Sequence, residues 1–254
     1  MDNVIYNEDC FETFKRIDDK SIDMILCDLP YGTTACKWDT RIPLEPLWKE
    51  YKRIIKKNGA IVLTASQPFT SILVMSNIEW FRYCWVWDKG KAGNIMCSSY
   101  QPMKVHEDIL IFSKSKTTFN RQMTEAKPEN IRPTGKEYKN RQSIIGIHNW
   151  KHSKSRDNTK RNPKSIIDIS SVSKECNNLN RIHPTQKPVA LFEYLIKTYT
   201  NEGELVLDNC IGSGTTAIAC INTNRHFIGC ELDKGYYDIA VKRVEEARYK
   251  VKLL

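Results

Sequence analysis

The stretch of sequence that decides the fold is Ile22–Gly32, which reads IDMILCDLPYG. Its first six residues form an almost continuous apolar run, the pattern of a strand buried on both faces of a parallel sheet. A carboxylate (Asp28), a stiffening proline (Pro30) and an aromatic ring (Tyr31) follow at once. At the carboxyl end of a parallel strand, this combination predicts a pocket for a flat, amine-bearing ring. The alternative is a plain exit from the strand, in which Asp28 caps and the next residues turn.

A second informative stretch is Asp208–Thr216, which reads DNCIGSGTT and lies between a short apolar run and a helical pattern. Its glycines, Gly212 and Gly214, would let the backbone approach a ligand closely. Glu231, about 20 positions further on, could accept hydrogen bonds from ribose hydroxyls. This is a nucleotide-binding pattern that dinucleotide-dependent oxidoreductases share. Only 40 residues follow Gly214, so strands from earlier in the chain must complete the sheet.

Apolar strand patterns alternate with amphipathic helix patterns at both ends of the chain. The fold class is therefore predicted to be α/β, with a mostly parallel sheet and helices on both faces. Asp9 follows the first strand pattern, Val4–Tyr6. Its side chain could cap the next helix or contact a ligand, and the sequence leaves both roles open.

Composition excludes several classes of protein. The chain has 254 residues, 41% of them hydrophobic, with no run long enough to span a membrane and no secretory signal at the N-terminus. Nine cysteines are present without a Cys-x-x-Cys pair, so neither a disulfide framework nor a metal site is predicted. A cytoplasmic protein with reduced thiols is expected.

The net charge of +9 is unevenly distributed. Residues 113–187 contain 17 Lys and Arg against 6 Asp and Glu, which leaves the rest of the chain at −2. Periodic apolar positions are also sparse in this part. We therefore predict three segments, 1–112, 113–182 and 183–254, the middle one a basic insertion that binds a polyanion. A solvated loop is the alternative.

The motifs together resemble a known family, the permuted, beta-group DNA amino-methyltransferases that use S-adenosylmethionine. The family's catalytic signature is Asp-Pro-Pro-Tyr or Ser-Pro-Pro-Tyr, here Asp28–Tyr31 with Leu29 in place of the first proline. Its cofactor signature, Asp-Pro-Phe-x-Gly-Ser-Gly-Thr-Thr, is similar to Asp208–Thr216. A His-Pro-Thr-Gln-Lys-Pro segment matches His183–Pro188 at every position. The resemblance covers roughly residues 1–112 and 183–247.

The resemblance implies a Rossmann-like methyltransferase fold with a circularly permuted order of motifs, in which the catalytic half precedes the cofactor-binding half. It also implies the roles of the catalytic stretch. The Asp28 carboxylate and the Leu29 carbonyl would accept the hydrogens of the target amine, Pro30 would stiffen the turn, and Tyr31 would stack on a base flipped out of the duplex.

By the same resemblance, S-adenosylmethionine is the cofactor. Its ribose would be held by Glu231 and its adenine amino group would lie beside Asp9. For Lys187 a contact with phosphate or solvent is the alternative. For His106–Glu107 both a structural and a catalytic role are open, and the structural role is slightly favoured. The residues expected at the cofactor are Asp9, Asp28, His183, Pro184, Thr185, Gln186, Lys187, Pro188, Asp208, Cys210, Gly212, Ser213, Gly214, Thr215, Thr216 and Glu231.

Double-stranded DNA is the expected substrate, and an aspartate at the first catalytic position favours adenine N6 over cytosine N4. The basic insertion would be the target-recognition region. No nuclease motif is present, so any restriction endonuclease would be a separate protein. The oligomeric state, monomer or homodimer, is left open. The competing hypotheses are a nucleotide-dependent oxidoreductase and a catalytically silent DNA-binding protein. The residues expected to contact DNA are Lys151, Lys154, Arg156, Lys160 and Arg161.

Overall fold

The computed structural model describes residues 3–32, 40–131, 159–171 and 186–252. The chain divides into two compact units. The first unit comprises Met1–Asn120 and Ser165–Leu254, and the second comprises Arg121–Lys164.

Strands and helices alternate through the first unit. Its N-terminal part contains β1 (Val4–Tyr6), α1 (Cys10–Lys15), β2 (Ile22–Cys27), α2 (Leu44–Ile54), β3 (Ile55–Ala65), α3 (Phe69–Ser76), β4 (Phe81–Asp88) and β5 (His106–Phe112). The second unit contains β6 (Thr124–Glu125) and β7 (Lys160–Arg161). The first unit resumes with β8 (Ile166–Asp168), α4 (Val189–Tyr199), β9 (Leu205–Asp208), α5 (Thr215–Asn222), β10 (His226–Cys230) and α6 (Lys234–Lys252).

The first unit is built on one eight-stranded sheet in the order β1-β10-β9-β2-β3-β5-β4-β8. All neighbouring strands are parallel except at β5, which is antiparallel to both β3 and β4. Strands from the two ends of the chain interleave, because β9 and β10 lie between β1 and β2. The predicted α/β class with a mostly parallel sheet is confirmed.

The strand order reverses direction at the pair β9 and β2. From β2 the chain passes through α2 to β3 on one side, and from β9 it passes through α5 to β10 on the other. The register at this pair is Met24 opposite Val206 and Ile25 opposite Leu207. In open α/β sheets, ligands bind in the crevice at the carboxyl ends of such a pair. Asp28 and Asp208 both lie at that crevice.

Two layers of helices cover the sheet. Met24 and Leu26 of β2 pack in one core cluster with α4, α5 and α6. Ile25 and Cys27 pack in the other with α1, α2 and α3. All four side chains are fully buried. The unbroken apolar run of β2 therefore follows from burial on both faces of the sheet.

One short strand from the predicted basic insertion belongs to the first unit. Residues Ile166–Asp168 form β8, which extends the main sheet by pairing in parallel with β4. The second compact unit is therefore shorter than the segment 113–182. In the second unit β6 and β7 pair antiparallel, with Thr124 opposite Arg161.

Candidate active site

Acidic side chains collect at the carboxyl edge of the sheet. Asp28 follows β2, Asp208 ends β9, and Glu231 follows β10. Because these strands are parallel neighbours, their carboxyl ends meet at one edge. Burial raises the pKa of Asp208, and the negative charge of Asp28 raises it further. The two motifs that lie 180 residues apart in sequence therefore form one site.

Asp28 makes hydrogen bonds through both carboxylate oxygens. Its Oδ1 accepts one from the Tyr31 hydroxyl at 2.8 Å and another from the Thr64 hydroxyl. Its Oδ2 accepts one from Lys187 Nζ at 2.8 Å. Thr64 lies near the end of β3 and Lys187 just before α4, so three parts of the chain fix this carboxylate. It is neither a helix cap nor a free turn residue.

Lys187 is the centre of a chain of alternating charges. It is only 8% exposed and lies between Asp28 and the Glu107 carboxylate, whose Oε2 forms an ion pair with Lys187 Nζ at 3.2 Å. The other oxygen of Glu107 accepts a hydrogen bond from Lys89 at 3.2 Å. Lys187 thus contacts two carboxylates and is buried from solvent, and its contact with the cofactor stays a prediction.

The pKa values reflect this pairing. Burial alone would lower the pKa of Lys187, but Asp28, Tyr31 and Glu107 outweigh burial and hold it well above its usual value. Burial would likewise raise the pKa of Glu107, but Lys187 and Lys89 hold it below its usual value. Lys187 and Glu107 therefore both stay ionised at neutral pH.

Tyr31 packs into the same cluster. Its ring stacks on Phe69 with a centroid distance of 5.3 Å and an interplanar angle of 29°. Lys187 Nζ lies 5.6 Å from the ring centroid. Burial, and then the charge of Asp28, raise the pKa of the Tyr31 hydroxyl well above its usual value. This hydroxyl is thus a neutral hydrogen-bond donor to Asp28, a role the sequence did not suggest.

Asp208 is a nearly fully buried carboxylate. Its Oδ1 accepts a hydrogen bond from the Cys210 backbone N–H at 3.0 Å, and its Oδ2 accepts one from the Thr216 hydroxyl. Burial raises its pKa to about 7, although these bonds act in the opposite direction. The carboxylate therefore holds the loop after β9 against the first turn of α5, where Thr215 is also buried.

The loop between β9 and α5 depends on backbone that glycine adopts most easily. Gly212 and Gly214 have φ angles of +53° and +83°. A side chain at Gly214 would lie 3.2 Å from Ala240 of α6. At Gly212, among the described residues and chain neighbours aside, a Cβ would meet nothing nearer than the Cys210 carbonyl oxygen, 4.0 Å away. Gly214 thus permits close packing of α6, and Gly212 leaves open space in front of the loop.

Glu231 contacts that loop directly. Its Oε2 accepts a hydrogen bond from the Gly212 N–H at 2.9 Å, and its Oε1 accepts one from the Asp233 N–H at 2.9 Å. Burial raises its pKa. On the other side of the loop, Arg243 of α6 donates to the Ser213 carbonyl and hydroxyl at 2.5 and 3.0 Å. The loop is thus held from both sides.

Asp9 is exposed and caps α1. Its carboxylate accepts a hydrogen bond from the Phe11 N–H at 2.8 Å, so the cap that the sequence left open is present. The loop after β1 also reaches the loop after β10, because the Asn7 amide donates to the Glu231 carbonyl at 2.8 Å. A contact of Asp9 with the adenine amino group stays a prediction.

The His183–Pro188 motif is described only in its second half, since residues 183–185 lie outside the described part of the chain. Gln186 is 9% exposed, and within the described part of the chain its side-chain carbonyl oxygen has no hydrogen-bond partner. Pro188 is the cap residue of α4. Of the expected DNA contacts, Lys160 and Arg161 form β7, and Lys151, Lys154 and Arg156 fall outside the described residues.

Two departures from the family's cofactor signature are accommodated by local contacts. Asn209, in place of proline, accepts a hydrogen bond from the buried Tyr51 hydroxyl. Cys210, in place of phenylalanine, lies beside Cys27. Among the residues that the structure describes, no group of His, Cys, Asp and Glu side chains is arranged to hold a metal ion. In the same part of the chain, no helix is both long and apolar enough to cross a membrane.

Sequence reasoning missed Thr64 and Lys89 and gave Glu107 a merely structural role. Glu107 is the second residue of β5 and Lys89 follows β4, and because these strands pair antiparallel, the two residues meet at the site. The available signal in the sequence was a charged residue beside each end of the stretch that joins these two strands. Thr64 gave none, since a threonine near the end of a strand is ordinary.

Solved structures with this fold define the class of protein. The complex of M1.HpyAVI with S-adenosylmethionine has 26% sequence identity and a TM-score of 0.59, and the match covers 94% of this chain and 98% of that one. The cytosine-N4-specific PvuII DNA methyltransferase has 14% identity and a TM-score of 0.62, covering 97% and 91%; at that identity it shows the fold alone. The fold is that of a DNA methyltransferase.

Sequence comparison places the chain in a family. The DNA methylase model of the N6/N4 methyltransferases matches residues 22–242. The type II methyltransferase M.HpaI of Haemophilus parainfluenzae is 29% identical over 259 residues, which cover 96% of this chain and 75% of that protein. The DNA adenine methyltransferase YhdJ of Escherichia coli is 29% identical over 96% of this chain and 83% of its own length. The chain belongs to the N6/N4 DNA methylase family and is a DNA methyltransferase that uses S-adenosylmethionine.

Proposed function

We propose that the enzyme transfers a methyl group from S-adenosylmethionine to the exocyclic N6 amine of an adenine that is flipped out of duplex DNA. The observation that carries this proposal is the Asp28 carboxylate at the strand-order reversal, held by Tyr31, Thr64 and Lys187. A conjugated amine is a poor nucleophile. Acceptors fixed beside it draw its hydrogens out of the ring plane and free its lone pair for attack.

The hydrogen bonds of Asp28 indicate which oxygen receives the amine. A carboxylate offers about four acceptor positions. The hydroxyls of Tyr31 and Thr64 use two on Oδ1, and Lys187 uses one on Oδ2. The remaining position is on Oδ2, so the amine would donate one hydrogen there and the other to the Leu29 carbonyl. Lys187 therefore shares the oxygen that binds the substrate.

The residues around the glycine loop fit the cofactor. S-adenosylmethionine supplies a methyl group on a positively charged sulfur, which makes it electrophilic. The space in front of Gly212 admits a ligand, and Glu231 offers carboxylate oxygens to ribose hydroxyls. The buried Asp208 carboxyl would face the methionine ammonium, whose positive charge would favour its ionised form. Asp28 and Asp208 share one edge, so the reactants would meet between β2 and β9.

Adenine is favoured over cytosine by the aspartate at position 28 and by the relative YhdJ, whose name specifies adenine. Cytosine N4 is the second candidate, because the family includes both activities. The second compact unit, with Lys160 and Arg161, would contact the DNA backbone. A cytoplasmic location is compatible with such a substrate and is part of the proposal. Several relatives are type II methyltransferases, so a separate restriction endonuclease would be the natural partner.

Labelled methyl transfer followed by nucleoside analysis tests the proposal. The purified enzyme is incubated with unmodified duplex DNA and methyl-labelled S-adenosylmethionine, and the DNA is digested to nucleosides for mass analysis. We expect the label in N6-methyladenine. Label in N4-methylcytosine would identify the second candidate, and absence of label from DNA would contradict the assignment to DNA methylation.

A further inference from the structure

The loop that joins β4 to β5, residues 89–105, exposes several large apolar side chains. The most exposed is Met96, at 93%. Soluble proteins rarely present such a cluster unless a partner covers it. The exposed apolar residues of the loop are Ile95, Met96, Tyr100, Met103 and Val105.

This loop has a defined shape. Its two ends are joined by backbone hydrogen bonds, from Lys89 to Val105 at 2.8 Å and from Gly93 to Lys104 at 3.1 Å. The Asn94 side chain also accepts a hydrogen bond from the Lys104 backbone N–H at 2.5 Å. A turn of 3₁₀-helix over residues 95–97 follows at the tip. Ile95 and Met96 are therefore presented to the outside by an ordered projection.

The projection arises beside the catalytic cluster. It leaves the carboxyl end of β4 and enters the amino end of β5, which is antiparallel, so both of its ends lie at the edge that carries Asp28. Lys89 at its base binds Glu107, which pairs with Lys187 and so with Asp28. Lys104 donates a hydrogen bond to the Ser66 hydroxyl just after β3.

The composition of the loop indicates its partner. Residues 89–105 contain three lysines and no aspartate or glutamate. A basic loop with an apolar tip is complementary to a polyanion that has an apolar interior, which describes duplex DNA with its charged backbone and stacked bases. Proteins that kink or open DNA insert Met, Ile, Leu or Phe between bases in this way.

We infer that Ile95 and Met96 enter the DNA stack at the target site and stabilise the flipped state of the base. This inference rests on the proposed function, which requires the target base to leave the duplex. The inserted side chains would fill the gap and offset part of the stacking free energy that is lost when the base leaves.

The test compares two double variants. Ile95→Ala/Met96→Ala removes the apolar side chains of the tip. Met75→Ala/Ile78→Ala is the matched control, because these two residues are 72% and 59% exposed and lie at and just after the C-terminal end of α3, outside the loop. The site that the wild type methylates is first mapped by sequencing modified plasmid DNA. The substrates are then two duplexes that both carry this site. In one the target base is normally paired, and in the other it faces an abasic position that lowers the cost of flipping.

We expect the tip variant to methylate the paired duplex about tenfold more slowly than wild type, and the abasic duplex at close to the wild-type rate. The control variant should match wild type on both, and all three proteins should bind S-adenosylmethionine equally. An equal loss on both duplexes, or no loss, would overturn the inference. A smaller assembly for the tip variant in sedimentation would also overturn it, because a second copy would then cover the tip. Failure of the wild type to methylate either duplex would instead contradict the proposed function.

Discussion

At the scale of single residues, the site depends on charges that burial would penalise if they were not paired. Asp28, Lys187, Glu107 and Lys89 alternate in sign, and each charge contacts at least one of opposite sign. Glu107 shares the positive charge of Lys187, so Lys187 can orient Asp28 without fully neutralising it. We therefore predict that Glu107 is a positioning residue, which acts on the substrate through Lys187 and Asp28.

Glu107→Gln should slow methyl transfer while leaving substrate binding almost intact. The amide removes one negative charge from beside two lysines, so Lys187 would bind Asp28 more tightly and weaken it as an acceptor. We expect kcat to fall about tenfold and stability to fall by about 3 kcal/mol, the cost of breaking a buried ion pair. KM for DNA and Kd for S-adenosylmethionine should change little. Steady-state kinetics and urea unfolding measure these quantities.

The matched control for this variant is Glu79→Gln, an exposed glutamate outside the site. It should resemble wild type in rate and stability. If Glu107→Gln lost stability but kept the wild-type kcat, Glu107 would be a structural residue only, as the sequence first suggested.

Asp208 should make stability depend on pH. Its pKa is about 7 in the folded protein and near 4 in an unfolded chain, so between these values the folded state binds one more proton. The free energy of unfolding must therefore fall as pH rises from about 4 to about 7, by at most about 1.4 kcal/mol per pH unit from this group. Above that range the contribution is fully lost.

Comparing wild type with Asp208→Asn isolates that contribution, because all other titrating groups are common to both proteins. Urea unfolding at pH 5 and pH 8 should show wild type losing stability relative to the variant. A stability difference that does not change with pH would mean that Asp208 is already ionised at pH 5 in the folded protein.

At the scale of elements, the sequence predicted the strands and loops whose signal lies within a few neighbouring residues. The apolar runs of β2 and β9 and the motifs that follow them identified the two halves of the site, because burial on both faces and turn chemistry act within a few residues. The role of Glu107 could not be read in the same way. It depends on the antiparallel pairing of β4 with β5, which brings Lys89 and Glu107 together from 18 residues apart.

Gly212, in the loop between β9 and α5, has a matched control in Gly203, which lies between α4 and β9. Both have positive φ, and among the described residues, chain neighbours aside, nothing lies closer than 4.0 Å to a Cβ added at either one. Valine at either position should therefore strain the backbone similarly. Only Gly212→Val should also weaken S-adenosylmethionine binding, by about tenfold or more, because the side chain would enter the ligand space.

Calorimetric titration of both variants gives the comparison. Equal affinities for Gly212→Val and Gly203→Val would mean that the cofactor does not approach the loop at Gly212. A decrease in affinity shared by both would mean that backbone strain acts at a distance.

At the scale of the whole molecule, the positive charge is concentrated in one segment of the sequence, but that segment does not coincide with one structural unit. The basic excess lies in residues 113–187, but Ile166–Asp168 within that segment form the edge strand β8 of the main sheet. Composition could not reveal this, because a three-residue strand is recognised by its partner β4 and not by its own sequence. The position of the strand-order reversal was equally hidden, since it depends on how the two ends of the chain interleave.

The basic residues of the second unit and its neighbourhood should determine the salt dependence of DNA binding. Reversing Lys151, Lys154, Arg156, Lys160 and Arg161 to glutamate should weaken binding and flatten its dependence on salt, by about 0.9 in logarithmic slope for each phosphate that is no longer neutralised. Affinity for S-adenosylmethionine should stay near wild type. Titration with a duplex at several salt concentrations measures the slope.

The control replaces five exposed lysines of the first unit by glutamate. It changes the net charge by the same amount, so it separates local binding to phosphates from general electrostatic attraction. Equal slopes for wild type and the first variant would mean that these basic residues do not hold DNA. The control positions are Lys49, Lys57, Lys197, Lys242 and Lys250.

The central claim is that Asp28 acts on the target amine, and Asp28→Ala tests it most directly. The measurement is single-turnover methyl transfer from labelled S-adenosylmethionine to duplex DNA, with calorimetry of cofactor binding on the same protein samples. We predict a loss of about one to two decades in rate, equivalent to a charge-assisted hydrogen bond of about 1.5–3 kcal/mol, with cofactor affinity close to wild type. Transfer at the wild-type rate by a folded, cofactor-binding Asp28→Ala protein would contradict the account.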